Sequence, residues 1–320
     1  MKIALDAMGT DDAPITEIAG AVVSVGLDPT LRVILVGDEA ALTGPLSEFP
    51  AQEQIEVVHA PDRIDSSLAP VAALRRSPNS SIGVGLGLHA AGKADAFVSA
   101  GSTGAVMAAS LRLLRPVRGV DRPPVGTMFP THLGPTLVTD AGANIDCKPH
   151  NLAQFARVGS IYMQDLYGVS RPRVGLLNVG AEQIKGTEVL QDAYRLLAGS
   201  DLNFVGNIEG RDIVNHACDV LVCDGFTGNI LLKFYESLAA FLVAHLRDRL
   251  MPGDLGAEFE EAFRVFDYAE YGGAPLLGVN GVSIICHGES SPKAISAAIG
   301  MAARTARSGI VDHIARDLAS

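Results

Sequence analysis

The 320-residue sequence contains no tryptophan, and only 5% of it is aromatic and 19% charged. Cysteine is sparse as well. Cys147, Cys218, Cys223 and Cys286 are scattered, with no C-x-x-C pair and none at zinc-finger spacing to a histidine. This excludes a disulfide scaffold and a zinc ribbon, and it predicts a reduced, cytoplasmic protein. Long hydrophobic runs are missing too. The longest uncharged apolar stretch, Ala96 to Leu111, has 16 residues and is interrupted by Gly101, Ser102, Thr103 and Gly104. A spanning helix needs about 20 apolar residues. Asp6 breaks the N-terminal apolar run, so the chain reads as having neither a signal peptide nor a membrane span.

Positive charge is also in deficit. Twenty-five Lys and Arg stand against 36 Asp and Glu, a net charge of −11, which argues against nucleic acid as a partner. Nucleotide motifs are absent in any usable form. Gly85-Leu-Gly-Leu-His-Ala90 fits G-x-G-x-x-A, but it lies in a helical pattern ahead of a strand and has no ribose-binding acid about 20 residues on. Lys185-Gly186-Thr187 inverts the order of a Walker loop. No H-E-x-x-H, G-x-S-x-G or EF-hand pattern occurs, so neither a metal nor a cofactor is expected.

Glycine and apolar residues are what the chain has in abundance. Its 34 glycines are about 11% of the residues, against an average near 7%. A hydrophobic content of 48% excludes disorder, and the glycines lack the three-residue period of collagen. The length predicts one large α/β domain over residues 1–320, or the same domain in two lobes.

Short β-branched runs alternate with helical patterns. Strands are predicted at Lys2–Asp6, Arg32–Val36, Glu56–His59, Ala96–Ser99, Thr136–Asp140, Arg173–Asn178, Asn203–Val205, Val220–Cys223 and Val282–Cys286. Helices are predicted at Pro149–Leu166, Thr187–Leu197 and Pro292–Leu318. The alternation predicts βαβ units and a mainly parallel sheet buried on both faces. A stripe at Ile230, Phe234, Leu238, Phe241, Leu242 and Leu246 predicts an amphipathic helix ending at Pro252-Gly253. A second stripe at Leu255, Phe259, Phe263 and Phe266 completes a helical hairpin over residues 230–270, which reads either as projecting to form a subunit interface or as covering the sheet. Its apolar turn, Leu250 to Leu255, is also suited to touching a bilayer.

Many glycines sit in strand-end turns beside polar residues. The runs are Ser99-Ala-Gly-Ser-Thr-Gly104, Asp140-Ala-Gly-Ala-Asn144, Asn178 to Gly186, Gly206 to Arg211, Asp224 to Asn229 and Cys286 to Ser291. In a parallel sheet the carboxyl ends of the strands face the ligand, and each following helix offers free N–H groups to an anion. Any one such turn is ordinary chain reversal. Six together predict an oxyanion or phosphate site, with Lys185 or Lys233 adding charge. A basic cluster, Arg112, Arg115, Arg118 and Arg122, is offset only by Asp121. It reads either as a solvated helix end or, through Arg112 and Arg115, as a dock for an acidic partner.

The chain resembles the bacterial phosphate acyltransferases called PlsX. The resemblance lies in Met1-Lys-Ile-Ala-Leu-Asp-Ala-Met-Gly9, Ser99 to Ala105, Gly142-Ala-Asn-Ile-Asp-Cys-Lys-Pro149 and Val174 to Gly180. It continues through Asn203 to Ile213, Cys223 to Asn229 and Tyr271 to Gly281. Thr10 stands where the family usually has a glycine, Ser102 where it has asparagine, Ala181 where it often has an acid, and Glu289 where it often has serine. The resemblance implies a fold like the isocitrate and isopropylmalate dehydrogenases and phosphotransacetylase. It also implies a homodimer peripherally associated with the inner face of the membrane.

The implied reaction joins long-chain acyl-[acyl carrier protein] with inorganic phosphate, giving acyl phosphate for a membrane glycerol-3-phosphate acyltransferase. No protein nucleophile is needed, because phosphate can attack the thioester itself. The candidates for gripping phosphate or substrate are Ser102, Thr103, Gly104, Asn144, Lys185, Asn207 and Lys233. Asn178 and Asn229 are candidate oxyanion donors. Asp224 is a candidate for positioning phosphate's proton or Lys233, and His287 for protonating the leaving thiolate. The alternatives are a phosphotransacetylase acting on acyl-CoA, a nicotinamide-dependent hydroxy-acid dehydrogenase, and a non-catalytic carrier-binding scaffold.

Overall fold

The computed structural model describes residues 1–50, 53–65, 67–250 and 272–319. In chain order the elements begin with β1 (Lys2–Asp6), α1 (Ile15–Leu27), β2 (Arg32–Gly37), α2 (Glu39–Ser47) and β3 (Ile55–His59). Next come α3 (Pro70–Arg76), α4 (Ser81–Ala90), β4 (Ala96–Ser99), α5 (Thr103–Leu113), β5 (Gly126–Thr131) and β6 (Gly134–Thr139). Then follow α6 (Pro149–Tyr167), β7 (Arg173–Leu177), α7 (Glu188–Ala198), β8 (Asn203–Ile208), β9 (Val220–Val222) and α8 (Gly225–Leu250). The last are β10 (Ala274–Pro275), β11 (Ser283–Ile285), α9 (Pro292–Ser308) and α10 (Ile310–Asp317). They form two compact units, Met1–Pro123 with Tyr271–Ser320, and Pro124–Glu270.

The first unit holds a sheet in the order β10-β11-β4-β1-β2-β3. All its pairings are parallel except β10 with β11. Strand β1, Lys-Ile-Ala-Leu-Asp, is buried from Ile3 onward because helices cover both faces of a parallel sheet. Helices α1 and α9 meet closely. A Cβ on Gly20 would lie 2.7 Å from the Ile295 Cβ, and the Ser24 hydroxyl donates to Ser296 Oγ at 3.1 Å. One helix was predicted over Pro292–Leu318. The chain instead breaks at Gly309, whose φ of +71° suits glycine, and restarts as α10.

The second unit holds a sheet in the order β5-β6-β9-β7-β8, parallel except for β5 with β6. Strand β5 was not predicted. It contains Pro130, which confines such a run to a sheet edge, and an edge is where it lies. Helix α8 begins before the predicted stripe. Its Phe226, Ile230, Phe234, Leu238 and Phe241 are all exposed in the single chain. The stripe from Leu255 to Phe266 and most of the apolar turn, residues 251–255, lie outside the described residues.

Within α1, Glu17 is fully buried, and Oε1 accepts the Thr10 backbone N–H at 2.7 Å. Burial raises its pKa from 4.5 to about 7, against the opposing Thr10 bond and with a smaller push from Asp6. Between those two values the folded chain keeps a proton that the unfolded chain has lost. Stability therefore falls as pH rises from about 4.5 to about 7. The Glu17→Gln variant should lack this slope and be more stable than the parent at pH 8 by on the order of 2 kcal/mol. Urea unfolding of both proteins at pH 5 and pH 8 checks this; an equal difference at the two values contradicts it.

Candidate active site

In the first unit the site elements are the carboxyl ends of β1, β4 and β11. Asp6 ends β1 with 1% exposure and accepts the Ser99 hydroxyl at 2.6 Å and the Met8 N–H at 3.0 Å. Burial raises its pKa, and the bonds from Ser81, Ser99 and Met8 oppose the rise. Ser99 Oγ also accepts the Gly101 N–H at 3.0 Å, which shapes the turn into α5. A Cβ on Gly9 would come within 2.6 Å of the Gly101 nitrogen, so the two turns are seated on each other.

Ser102 is the N-cap of α5 yet makes no capping side-chain bond, and the first turn holds no acidic residue. Thr103 is exposed beside it. The positive end of this helix therefore presents Ser102, Thr103 and Gly104 together. His287 is exposed on the loop after β11, and its carbonyl accepts the Ser290 N–H at 3.1 Å.

Arg112 and Arg115 lie exposed at the other end of α5. Arg115 has a φ of +63°, rare for a side-chain-bearing residue. Asn280 holds it there. The Asn280 backbone N–H donates to the Arg115 carbonyl at 2.9 Å, and Nδ2 lies 3.2, 3.1 and 2.9 Å from the carbonyls of Leu114, Arg115 and Pro116.

In the second unit the organising residue is Asp140, fully buried just past β6. Its carboxylate accepts N–H bonds from Val125 at 2.9 Å, Gly142 at 3.2 Å, Ala143 at 3.0 Å and Asn144 at 2.6 Å. It also accepts Asn144 Nδ2 at 2.9 Å. Burial raises the Asp140 pKa, and the bonds from Ala143, Val125 and Asn144 oppose the rise. The amides of the Gly142–Asn144 turn thus point at Asp140. The N-terminus of α8 rests on the same turn. The Gly225 N–H donates to the Asn144 carbonyl at 2.7 Å, and a Cβ on Gly228 would fall 1.9 Å from the Asp140 carbonyl oxygen.

Asp224 caps α8, accepting the Thr227 N–H at 2.9 Å and the Thr227 hydroxyl at 2.8 Å. Asn229 lies one turn into α8 beside Gly142, and Lys233 is exposed one turn further. Past β7, Asn178 and Asn207 brace the loop that carries Lys185. Asn178 Nδ2 donates to the Lys185 carbonyl at 3.2 Å, and Asn207 Nδ2 donates to the Glu182 carbonyl at 2.9 Å. Gly186, at φ +83°, lets the loop fold against Asn178, where a Cβ would come within 2.5 Å of Oδ1. Lys185 itself meets Glu182 only at 4.0 Å with both side chains well exposed, so its charge remains open to an anion.

The candidates divide between the units. Ser102, Thr103, Gly104, Arg112, Arg115 and His287 belong to the first, and Asn144, Asn178, Lys185, Asn207, Asp224, Asn229 and Lys233 to the second. In the second unit Asn144, Asn178, Asn207 and Asp224 all have local partners for the groups expected to touch substrate. Asp6, Asp140 and Asn280 were not singled out from the sequence. The signal for the first two was an Asp-Ala pair at a strand end, in Asp6-Ala7 and again in Asp140-Ala141. Among the described residues no group of three or more His, Cys, Asp or Glu could hold a metal ion.

This architecture is that of the phosphotransacetylases. A phosphotransacetylase from Streptococcus pyogenes matches with a TM-score of 0.64 at 17% identity, covering 96% of this chain and 94% of its own. The family profile described as "Fatty acid synthesis protein" matches residues 1–313. The phosphate acyltransferase of Pelotomaculum thermopropionicum is 46% identical over 328 residues, covering 100% of this chain and 94% of that one. That of Desulforamulus reducens is 46% identical over 325 residues, covering 99% and 97%. The chain belongs to the phosphate acyltransferase (PlsX) family, and it is an acyltransferase with phosphate as acceptor.

Asp140→Asn should lower stability by about 2–3 kcal/mol, because an NH2 group would replace one accepting oxygen and face the turn's donors. Urea unfolding measures the loss, and a change under 0.5 kcal/mol (roughly the noise of surface substitutions) would remove Asp140 as the organiser.

Proposed function

We propose that the chain transfers a long-chain acyl group from acyl carrier protein to inorganic phosphate. The products are acyl phosphate and free carrier protein, and the acyl phosphate feeds glycerol-3-phosphate acylation in phospholipid synthesis at the cytoplasmic membrane face. The observation that carries this reading is the open Lys185 cation on a loop braced by Asn178 and Asn207, in a chain of the phosphate acyltransferase family. A phosphate oxygen attacks the thioester carbonyl carbon, the carbonyl becomes a tetrahedral oxyanion, and the C–S bond breaks. The departing thiolate takes a proton, assigned to His287.

Ser102, Thr103 and Gly104 supply neutral donors and a helix end for an anion, and Lys185 and Lys233 supply charge. Asn229 is assigned to the oxyanion. The amides of Asn144, Asn178 and Asn207 act through the loops they hold, and Asp224 acts through the α8 terminus it caps. The cysteines are unsuited to act as nucleophiles, since all four are buried. Burial drives Cys218 and Cys286 up to about 12 and Cys223 well above its ordinary value. The exposed stripe of α8 suits a homodimer interface with peripheral membrane contact nearby.

A phosphotransacetylase acting on acyl-CoA is the second reading, favoured by the shared fold. Phosphate-dependent thioester loss, measured side by side on acyl-carrier protein and acyl-CoA of equal chain length, decides between them. A preference for acyl-CoA overturns the first reading.

Lys185→Ala or Asn229→Ala should lower acyl-phosphate formation by about 10²-fold with the fold intact. Near-normal turnover of either variant would remove that residue from the reaction. Reversing the charge of Arg112 and Arg115 to Glu should weaken carrier binding, with the effect shrinking as salt rises. Unchanged affinity at low salt would return the cluster to simple solvation.

A further inference from the structure

Glu17 is a buried carboxyl group that the reaction above does not use. It lies on α1, one turn before Gly20, where α1 packs on α9 at the Pro292 carbonyl oxygen and Ile295. The two helices run parallel, because Ser24, one turn further along α1, meets Ser296. Glu17 is therefore level with the head of α9 and the loop before it. Its negative charge is near enough to Cys286 to help raise that thiol. Oε1 accepts the Thr10 N–H at 2.7 Å. Oε2 is buried without a hydrogen-bond partner, and so is the Ser290 hydroxyl on the loop after β11.

The next amide along the turn crosses to that loop. The Asp11 N–H donates to the Gly288 carbonyl at 3.0 Å, beside His287. On the other side of Thr10, Gly9 abuts Gly101 at the entry to α5. Consecutive residues of one turn thus touch α1, the His287 loop and the Ser99–Gly104 turn. Thr10 is itself 4% exposed, so its N–H would be left buried without an acceptor if Glu17 were apolar.

We propose that Glu17 is a positioning residue for the phosphate-dependent reaction. It fixes Thr10 and Asp11, and through them the Gly288 loop that carries His287 and the turn leading into Ser102 and Thr103, without touching substrate. This rests on the reaction proposed above.

The test compares the full-length parent with Glu17→Gln, Glu17→Leu and Glu17→Met. Glutamine keeps an acceptor for Thr10, whereas leucine and methionine fill similar space without one. Amide hydrogen exchange at Thr10, Asp11 and Ser290 is read alongside kcat and the KM for phosphate. In the Leu variant, or in the Met variant if Leu does not fold, exchange at Thr10 and Asp11 should quicken about tenfold or more. The kcat should drop about tenfold or more, with the KM for phosphate moving less. The Gln variant should restore both to near the parent values. Parent-like exchange and kcat without an acceptor overturn the proposal. Quickened exchange with unchanged kcat overturns it too, because the brace would then be structural only. A parent enzyme with no phosphate-dependent thioester loss overturns the reaction instead, and the exchange measurement still reports the brace by itself.

Discussion

The strand-end turns depend on one constraint: backbone N–H groups buried at the end of a parallel strand need acceptors. Each unit answers it with a buried aspartate one step past or at the end of an interior strand. Asp140 receives four backbone amides and the Asn144 side chain. Asp6 receives the Met8 amide and the Ser99 hydroxyl. The neighbouring strand then enters a helix beside a repeated Gly-x-Thr-Gly run, Gly101-Ser-Thr-Gly104 across the start of α5 and Gly225-Phe-Thr-Gly228 in the first turn of α8. Glycine is required in these turns by close approach as much as by conformation, since Gly9 and Gly228 have no room for a Cβ.

The acidic balance of the chain fits this construction. Its strand-end aspartates Asp6 and Asp140 are buried with their oxygens turned to protein donors, so they are not surface carboxylates facing an incoming anion. Helix ends, hydroxyls and the exposed Lys185 and Lys233 are the kinds of group that favour an anion. A net charge of −11 is therefore compatible with an anionic substrate. The arginines past α5 are a local exception, and Asn280 holds the backbone from which Arg115 projects.

Much of the fold was legible in the sequence. Strands β1 and β4 fall at the predicted residues, because a fully apolar run closed by a polar residue and glycine is a strong signal of a buried parallel strand. Strand β5 was hidden by Pro130, and the break at Gly309 by an apolar periodicity that continues across it. The turn residues were legible as a set, but their partners were not. Nothing local says that Asn207 reaches Glu182, 25 positions away, or that Val125 donates to Asp140. Glu17 reads as one more acid in an amphipathic helix until α9 is packed against it.

The central claim is that phosphate attacks the thioester directly, with the protein orienting both partners and supplying no covalent nucleophile. The most direct measurement incubates the enzyme with acyl-carrier protein labelled in the acyl group, with and without inorganic phosphate, and quenches in acid during turnover. The account predicts labelled acyl phosphate only when phosphate is present, and no label on the enzyme in either case. Label carried by the enzyme, or thioester loss without phosphate, would contradict it.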